Sequence, residues 1–106
     1  AAQQLLSEGD RIGPLKVIHT PGHTQGSICL YSEEERFLIS GDTVFTDGGF
    51  GRYDFPGGDR TALAQSIGKL ASLPVEGLYP GHGTPVRYEG RLHISAALQL
   101  LKSGYA

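Results

Sequence analysis

Three short apolar runs in this 106-residue chain each break into a glycine-bearing turn, and each turn carries one imidazole or carboxylate. Val17-Ile18 leads into His19-Thr20-Pro21-Gly22-His23-Thr24. Phe37-Leu38-Ile39 leads into Ser40-Gly41-Asp42-Thr43, and Gly77-Leu78-Tyr79 into Pro80-Gly81-His82-Gly83. A side chain that must reach into a cleft is well held at the end of a strand, where rigid backbone turns sharply. The glycines permit such turns and leave room beside them, and Pro21 and Pro80 stiffen the entry. His23, Asp42 and His82 are therefore the candidate metal ligands. Imidazole nitrogen and carboxylate oxygen are the donors a borderline cation such as zinc takes where thiolates are absent. Each turn taken alone also has a structural reading, as a loop histidine or an Asx-turn aspartate. The ordered recurrence carries the functional one.

The segments H-T-P-G-H-T-Q-G-S, L-I-S-G-D-T-V-F and Y-P-G-H-G-T-P keep a set spacing: 19 positions from His23 to Asp42 and 40 from Asp42 to His82. Together they resemble the second half of the metallo-β-lactamase superfamily, and most closely its glyoxalase II-like (hydroxyacylglutathione hydrolase-like) hydrolases. The resemblance runs from about Gly9 to Pro85. It implies an α/β chain, the C-terminal half of an αββα sandwich, with one mixed, mainly antiparallel sheet and about two helices on one face. It implies that His23 serves a first metal site, that Asp42 bridges two metals and is catalytic, and that His82 completes a second site. Zinc is the expected cofactor, two ions per intact site, with iron or manganese as alternatives. In such enzymes the ions hold a hydroxide that attacks the carbonyl of a thioester or related activated ester. The related alternative is half of an iron-dependent persulfide dioxygenase. The alternative from another class is a non-catalytic fragment or assembly module. Nothing in the residues favours β-lactams, and fold likeness is a poor warrant for substrate.

The family's first motif, H-x-H-x-D-H, is absent, and the isolated His19 and His93 cannot form it. Residues 1–106 are thus expected to be the C-terminal half of a domain. Alone, the chain is expected to hold little or no metal and to hydrolyse little. It should pair with itself or with an N-terminal half, because Phe37-Leu38-Ile39 is apolar on consecutive residues and reads as a strand buried on both faces. His19 is read as bracing a neighbouring loop, and His93 as lying on the solvent side of a helix.

A 39% hydrophobic and 19% charged composition fits a folded globule. The net charge of −2 gives no electrostatic reason to expect nucleic acid or an anionic membrane. No apolar run approaches the roughly 20 residues of a membrane span. The single cysteine, Cys29, lies in an apolar strand and reads as a buried thiol, for which a cytoplasmic setting is expected.

Hairpins are expected around Gly13-Pro14 and around Ser32–Glu35, with a short strand at Gly77–Tyr79. Helices are expected over Thr61–Leu73, capped by Asp59 or Thr61, and over Glu89–Ser103, stopped near Gly104. Leu63, Ile67 and Leu70 form one apolar stripe, and Ile94, Ala97, Leu98 and Leu101 another. Gly68 is read as allowing close packing. Residues 1–9 read as a frayed end or a connector. Between the sheet and the first helix lies a long glycine-rich loop, Thr46–Gly58. The resemblance makes Arg52 and Tyr53 its substrate-binding candidates. The structural reading instead pairs Arg52 with Asp54 or Asp59 and has Tyr53 and Phe55 pin the loop.

Overall fold

In the computed structural model, which describes residues 7–54 and 56–103, five strands form one sheet in chain order. They are β1 (Arg11–Ile12), β2 (Leu15–His19), β3 (Ile28–Ser32), β4 (Phe37–Gly41) and β5 (Gly77–Pro80). Neighbours from β1 to β4 pair antiparallel, and β5 lies parallel to β4. The sheet is mixed and mainly antiparallel, as the motifs imply. Gly13-Pro14 closes the first hairpin between the paired Ile12 and Leu15. The Ser32–Arg36 turn closes the second; there Ser32 Oγ accepts the Glu35 N–H at 3.0 Å. A parallel pair needs a long return path. Helix α1 (Arg60–Ala71) supplies it between β4 and β5, and α2 (Gly90–Lys102) follows β5.

Both helices cover the same face. Ile18, Cys29, Tyr31, Leu38 and Leu78 of the sheet share one core with Leu63, Ile67 and Leu70 of α1 and Ile94, Ala97 and Leu101 of α2. Fully burying such an aliphatic side chain contributes about 1.5–3 kcal/mol. Asp59 caps α1 by accepting the Ala62 N–H at 3.0 Å. Helix α2 has no side-chain cap. Its first amides are instead satisfied by the loop before β5, Gly90 N–H by the Glu76 carbonyl at 2.7 Å and Arg91 N–H by Val75 at 3.0 Å. A Cβ on Gly68 would meet nothing within 4 Å, so close packing does not explain that glycine.

The other face of the sheet is open at β4 and β5, although Val17 of β2 on that face is buried. Alternation turns Leu38 and Leu78 toward the helices and their in-register neighbours Ile39 and Tyr79 away from them. Ile39 and Tyr79 are each 38% exposed. Phe37, on the same side, meets the Tyr79 ring edge-on at 5.9 Å. With Glu35 and Pro80 these three line a shallow apolar hollow of about 540 Å³. Within this chain the two helices cover one face of Phe37-Leu38-Ile39, and the cover expected on the other face is left to a partner.

Cys29 is fully buried, and burial pushes its thiol up from the ordinary value. Among the described residues no helix is long and apolar enough to cross a membrane. Segment 1–6, Phe55 and Gly104 lie outside the described residues.

Candidate metal centre

Strand direction gathers the three motif turns. Because β3 is antiparallel to both β2 and β4, and β5 is parallel to β4, strands β2, β4 and β5 all run the same way. Their C-terminal ends share one rim of the sheet, and His23, Asp42 and His82 stand there. They line one cleft of about 330 Å³ together with Phe45, Phe50, Gly51 and Arg52.

The Asp42 carboxylate lies between the two imidazoles. His23 Nε2 is 3.8 Å from Asp42 Oδ2, and His82 Nε2 is 3.4 Å from Asp42 Oδ1. Each ring thus faces its own carboxylate oxygen, and the donors do not converge on one point. Among the described residues no group of three His, Cys, Asp or Glu side chains is arranged to hold a metal ion. The pairwise distances nevertheless suit ligands of an ion. Two donors about 2.0 Å from a tetrahedral zinc lie roughly 3.3 Å apart. The His82–Asp42 pair matches that span and the His23–Asp42 pair is slightly wider.

The orientation of the His23 ring fits the same use. Its Nδ1 lies 2.8 Å from the Arg52 carbonyl oxygen, which can only accept, so Nδ1 carries a proton, and it is Nε2 of the ring that faces Asp42. Metal-binding histidines ordinarily have their second nitrogen held in this way. His82 is the most exposed of the three, with 79% of its side chain accessible, and its ring meets Phe45 edge-on at 6.0 Å.

The His23 turn is held by α1. Ser66 Oγ donates to the Pro21 carbonyl at 2.7 Å, Lys69 Nζ donates to that of His19 at 2.6 Å, and Asp59 N–H donates to that of Gly22 at 2.8 Å. Gly22 has φ +141°, and a Cβ there would lie 2.4 Å from Leu63 Cα. Only glycine lets the turn rest on the helix at this distance. The His19 imidazole braces the turn through Nε2 and the Gln25 carbonyl at 2.8 Å, so it is a loop brace as the sequence implied. Glu8 reaches the same place, accepting from His19 N–H at 2.9 Å and from Lys69 Nζ at 3.0 Å. Burial alone would raise the Glu8 carboxyl. The His19 amide and the Lys69 ammonium outweigh it and hold the group below its ordinary value.

Arg52 sits at the lip of the cleft and pairs with Asp54 at 3.1 Å, while Asp59 is occupied as the α1 cap. The guanidinium holds the Asp54 carboxyl below its ordinary value. Tyr53 packs against the core and lines a neighbouring hollow with Arg52. Sequence reasoning missed the aromatic walls Phe45 and Phe50, and Gly51, where the loop touches the Asp42 backbone. The available signal was the G-G-F-G run, which marks a close approach of backbones. His93 does not face solvent as expected. Its side chain is 26% exposed, and Nδ1 accepts the Asp47 N–H at 2.8 Å, tying α2 to the site loop.

Comparison with known proteins shows what the chain is similar to as a whole. The family model described as the metallo-beta-lactamase superfamily matches residues 2–82. The probable metallo-hydrolase YqgX of Bacillus subtilis is 45% identical over 85 residues, which are 74% of this chain and 40% of that protein. A hydroxyacylglutathione hydrolase of Haemophilus influenzae is 39% identical over 72 residues, 65% of this chain and 33% of that protein. The crystal structure of TTHA1623 in a di-iron-bound form superposes with a TM-score of 0.74 at 40% identity, over 82% of this chain and 44% of that one. The chain thus spans less than half the length of each of these relatives.

Proposed function

Because the chain belongs to the metallo-beta-lactamase superfamily, we propose that its rim supplies the second half of a glyoxalase II-like dinuclear site that hydrolyses thioesters or related activated esters. The observation that carries this reading is the Asp42 carboxylate, with one imidazole facing each of its oxygens. Asp42 would be shared by two ions, of which His23 would hold one and His82 the other. Bound divalent ions, zinc or iron, would supply Lewis acidity to the attacked carbonyl and lower the pKa of water beside it.

The protein's own groups do the positioning. The Arg52 carbonyl accepts from His23 Nδ1 and so turns Nε2 toward Asp42. Phe45 and Phe50 give the cleft an apolar wall, which strengthens electrostatic contacts inside it. Arg52, 74% exposed at the lip, is suited to an anionic group on the substrate, with Tyr53 beside it. Neither ion receives a full ligand set from this segment, so the remaining ligands come from the rest of the fold, in cis or in trans. The open face of Phe37, Ile39 and Tyr79 is the surface on which that remainder would pack. The lone buried thiol suits a reducing, cytoplasmic setting.

The test is complementation. The chain is mixed with the N-terminal half of the Bacillus subtilis relative and with zinc, iron or manganese, and thioester hydrolysis is followed. Turnover is expected only when both halves and a metal are present, and Asp42→Asn should abolish it. Full turnover by the Asp42→Asn variant would overturn the proposal. So would a fully occupied dinuclear site in a monomer of the chain alone.

A further inference from the structure

Two threonine hydroxyls meet beneath the rim. Thr20 Oγ1 and Thr43 Oγ1 are 3.0 Å apart, and both residues are essentially inaccessible to solvent. Thr20 stands three positions before His23, and Thr43 directly follows Asp42. The contact therefore links the turn bearing the first imidazole to the turn bearing the carboxylate. These turns do not belong to neighbouring strands, because β3 separates β2 from β4. The Cys29 sulfur fills that gap from below, 3.4 Å from Thr20 Oγ1, and donates to the Ser40 carbonyl at 3.7 Å. Both turns are also held from above, Thr20 by its N–H on the Ser27 carbonyl and Thr43 by its carbonyl accepting the Gly51 N–H.

A valine pair would fill the same volume, so packing alone does not require hydroxyls here. What differs is the distance they hold. An O–H···O contact draws the two side chains to 3.0 Å, whereas apolar atoms rest about 3.5–4.0 Å apart. Losing one hydroxyl thus lets the two turns separate by about 0.5–1 Å, and a displacement near 1 Å costs an active site about a hundredfold.

We propose that the buried Thr20–Thr43 hydroxyl bridge is the positioning element that sets the separation of His23 and Asp42. The proposal rests on reading those two residues as metal ligands. Neither threonine touches substrate or metal; both act through the turns they join.

The test uses Mn²⁺ alone as a paramagnetic probe of the chain, which detects even weak binding. Ring-proton relaxation is compared for His23 and His82 against His19 and His93. In the parent chain His23 and His82 should broaden preferentially. In Thr43→Val or Thr20→Val the Mn²⁺ concentration needed to broaden His23 should rise about tenfold, while thermal stability changes little. In Thr43→Ser, which keeps the hydroxyl and loses a buried methyl, stability should fall and the His23 response should remain. A merely structural role gives the reverse, with the Mn²⁺ response following stability. Equal broadening of all four histidines in the parent chain removes the metal-site reading and the bridge with it. Preferential broadening that survives both valine variants removes the bridge alone. Failure of both valine variants to fold also overturns it, since a local brace is not needed for folding.

Discussion

Replacing Gly51 by alanine places a methyl carbon 1.9 Å from the Asp42 carbonyl oxygen, 3.1 Å from the Asp42 carbonyl carbon and 3.2 Å from His23 Cβ. Contacts of this kind essentially never fall below 3.0 Å, so the backbone must give by at least 1.1 Å, the difference between 3.0 and 1.9. The obstructing atom is main chain, so no flexible side-chain end can absorb the shift. The loop must retreat, and two contacts retreat with it: Gly51 N–H to the Thr43 carbonyl at 3.1 Å, and the Arg52 carbonyl on His23 Nδ1 at 2.8 Å. Overpacking costs about 1–3 kcal/mol, and a lost hydrogen bond about 0.5–1.5 kcal/mol. A total of about 2–6 kcal/mol for the overpacking and the two hydrogen bonds lowers Tm by about 10 °C or more for a domain of this size. The assay is thermal unfolding by circular dichroism, with the His23 ring resonances followed by NMR. Gly26→Ala is the control, because a Cβ there meets nothing within 4 Å. A Gly51→Ala protein that melts within about 2 °C of that control, with unshifted His23 resonances, would refute the contact between loop and rim.

Gly68→Ala should stabilise the chain by about 1 kcal/mol, raising Tm by about 4–8 °C, because space beside it is open; a lower Tm would reveal unseen packing on α1. Cys29 should resist iodoacetamide in the folded chain and react after denaturation, since its thiol is both buried and shifted upward; rapid alkylation in native buffer would contradict its place in the core. The Glu8 carboxyl is held below its ordinary value of 4.5, so its contribution is present above that pH and is lost as pH falls through the lowered folded value. Urea midpoints of Glu8→Gln and the parent chain should accordingly differ at pH 6 and converge as the pH is lowered below 4.5, and a gap that widens on acidification would show the sign to be wrong.

Local pattern made much of this molecule legible. The i, i+4, i+7 stripe of Leu63, Ile67 and Leu70 is wholly buried, and α1 begins within a residue of where Asp59 announces it. The three turns were readable because each follows its own short strand, and their meeting depends only on strand direction. What escaped depends on paths through space. His93 lies in a solvated-looking stretch, yet it accepts the amide of a residue 46 positions earlier. Asp47 takes φ +60° to present that amide, a conformation no pattern around it requires. The closeness of Gly51 to Asp42 likewise arises only once the glycine-rich loop has folded back over β4, and that of Thr20 to Thr43 only once β2 and β4 stand on either side of β3. The open face was legible as a need, from Phe37-Leu38-Ile39, but the local pattern could not show that only Leu38 is sheltered by this chain's helices.

The two halves of the rim are not attached with equal stiffness. Asp42 and His82 follow adjacent hydrogen-bonded strands, and the Gly81 amide clasps the Gly41 carbonyl at 2.8 Å just before both side chains depart. His23 arrives from a strand one place removed, on a turn fastened by side chains and a helix. Warming should therefore slacken the His23 arm while the His82 arm still keeps its span.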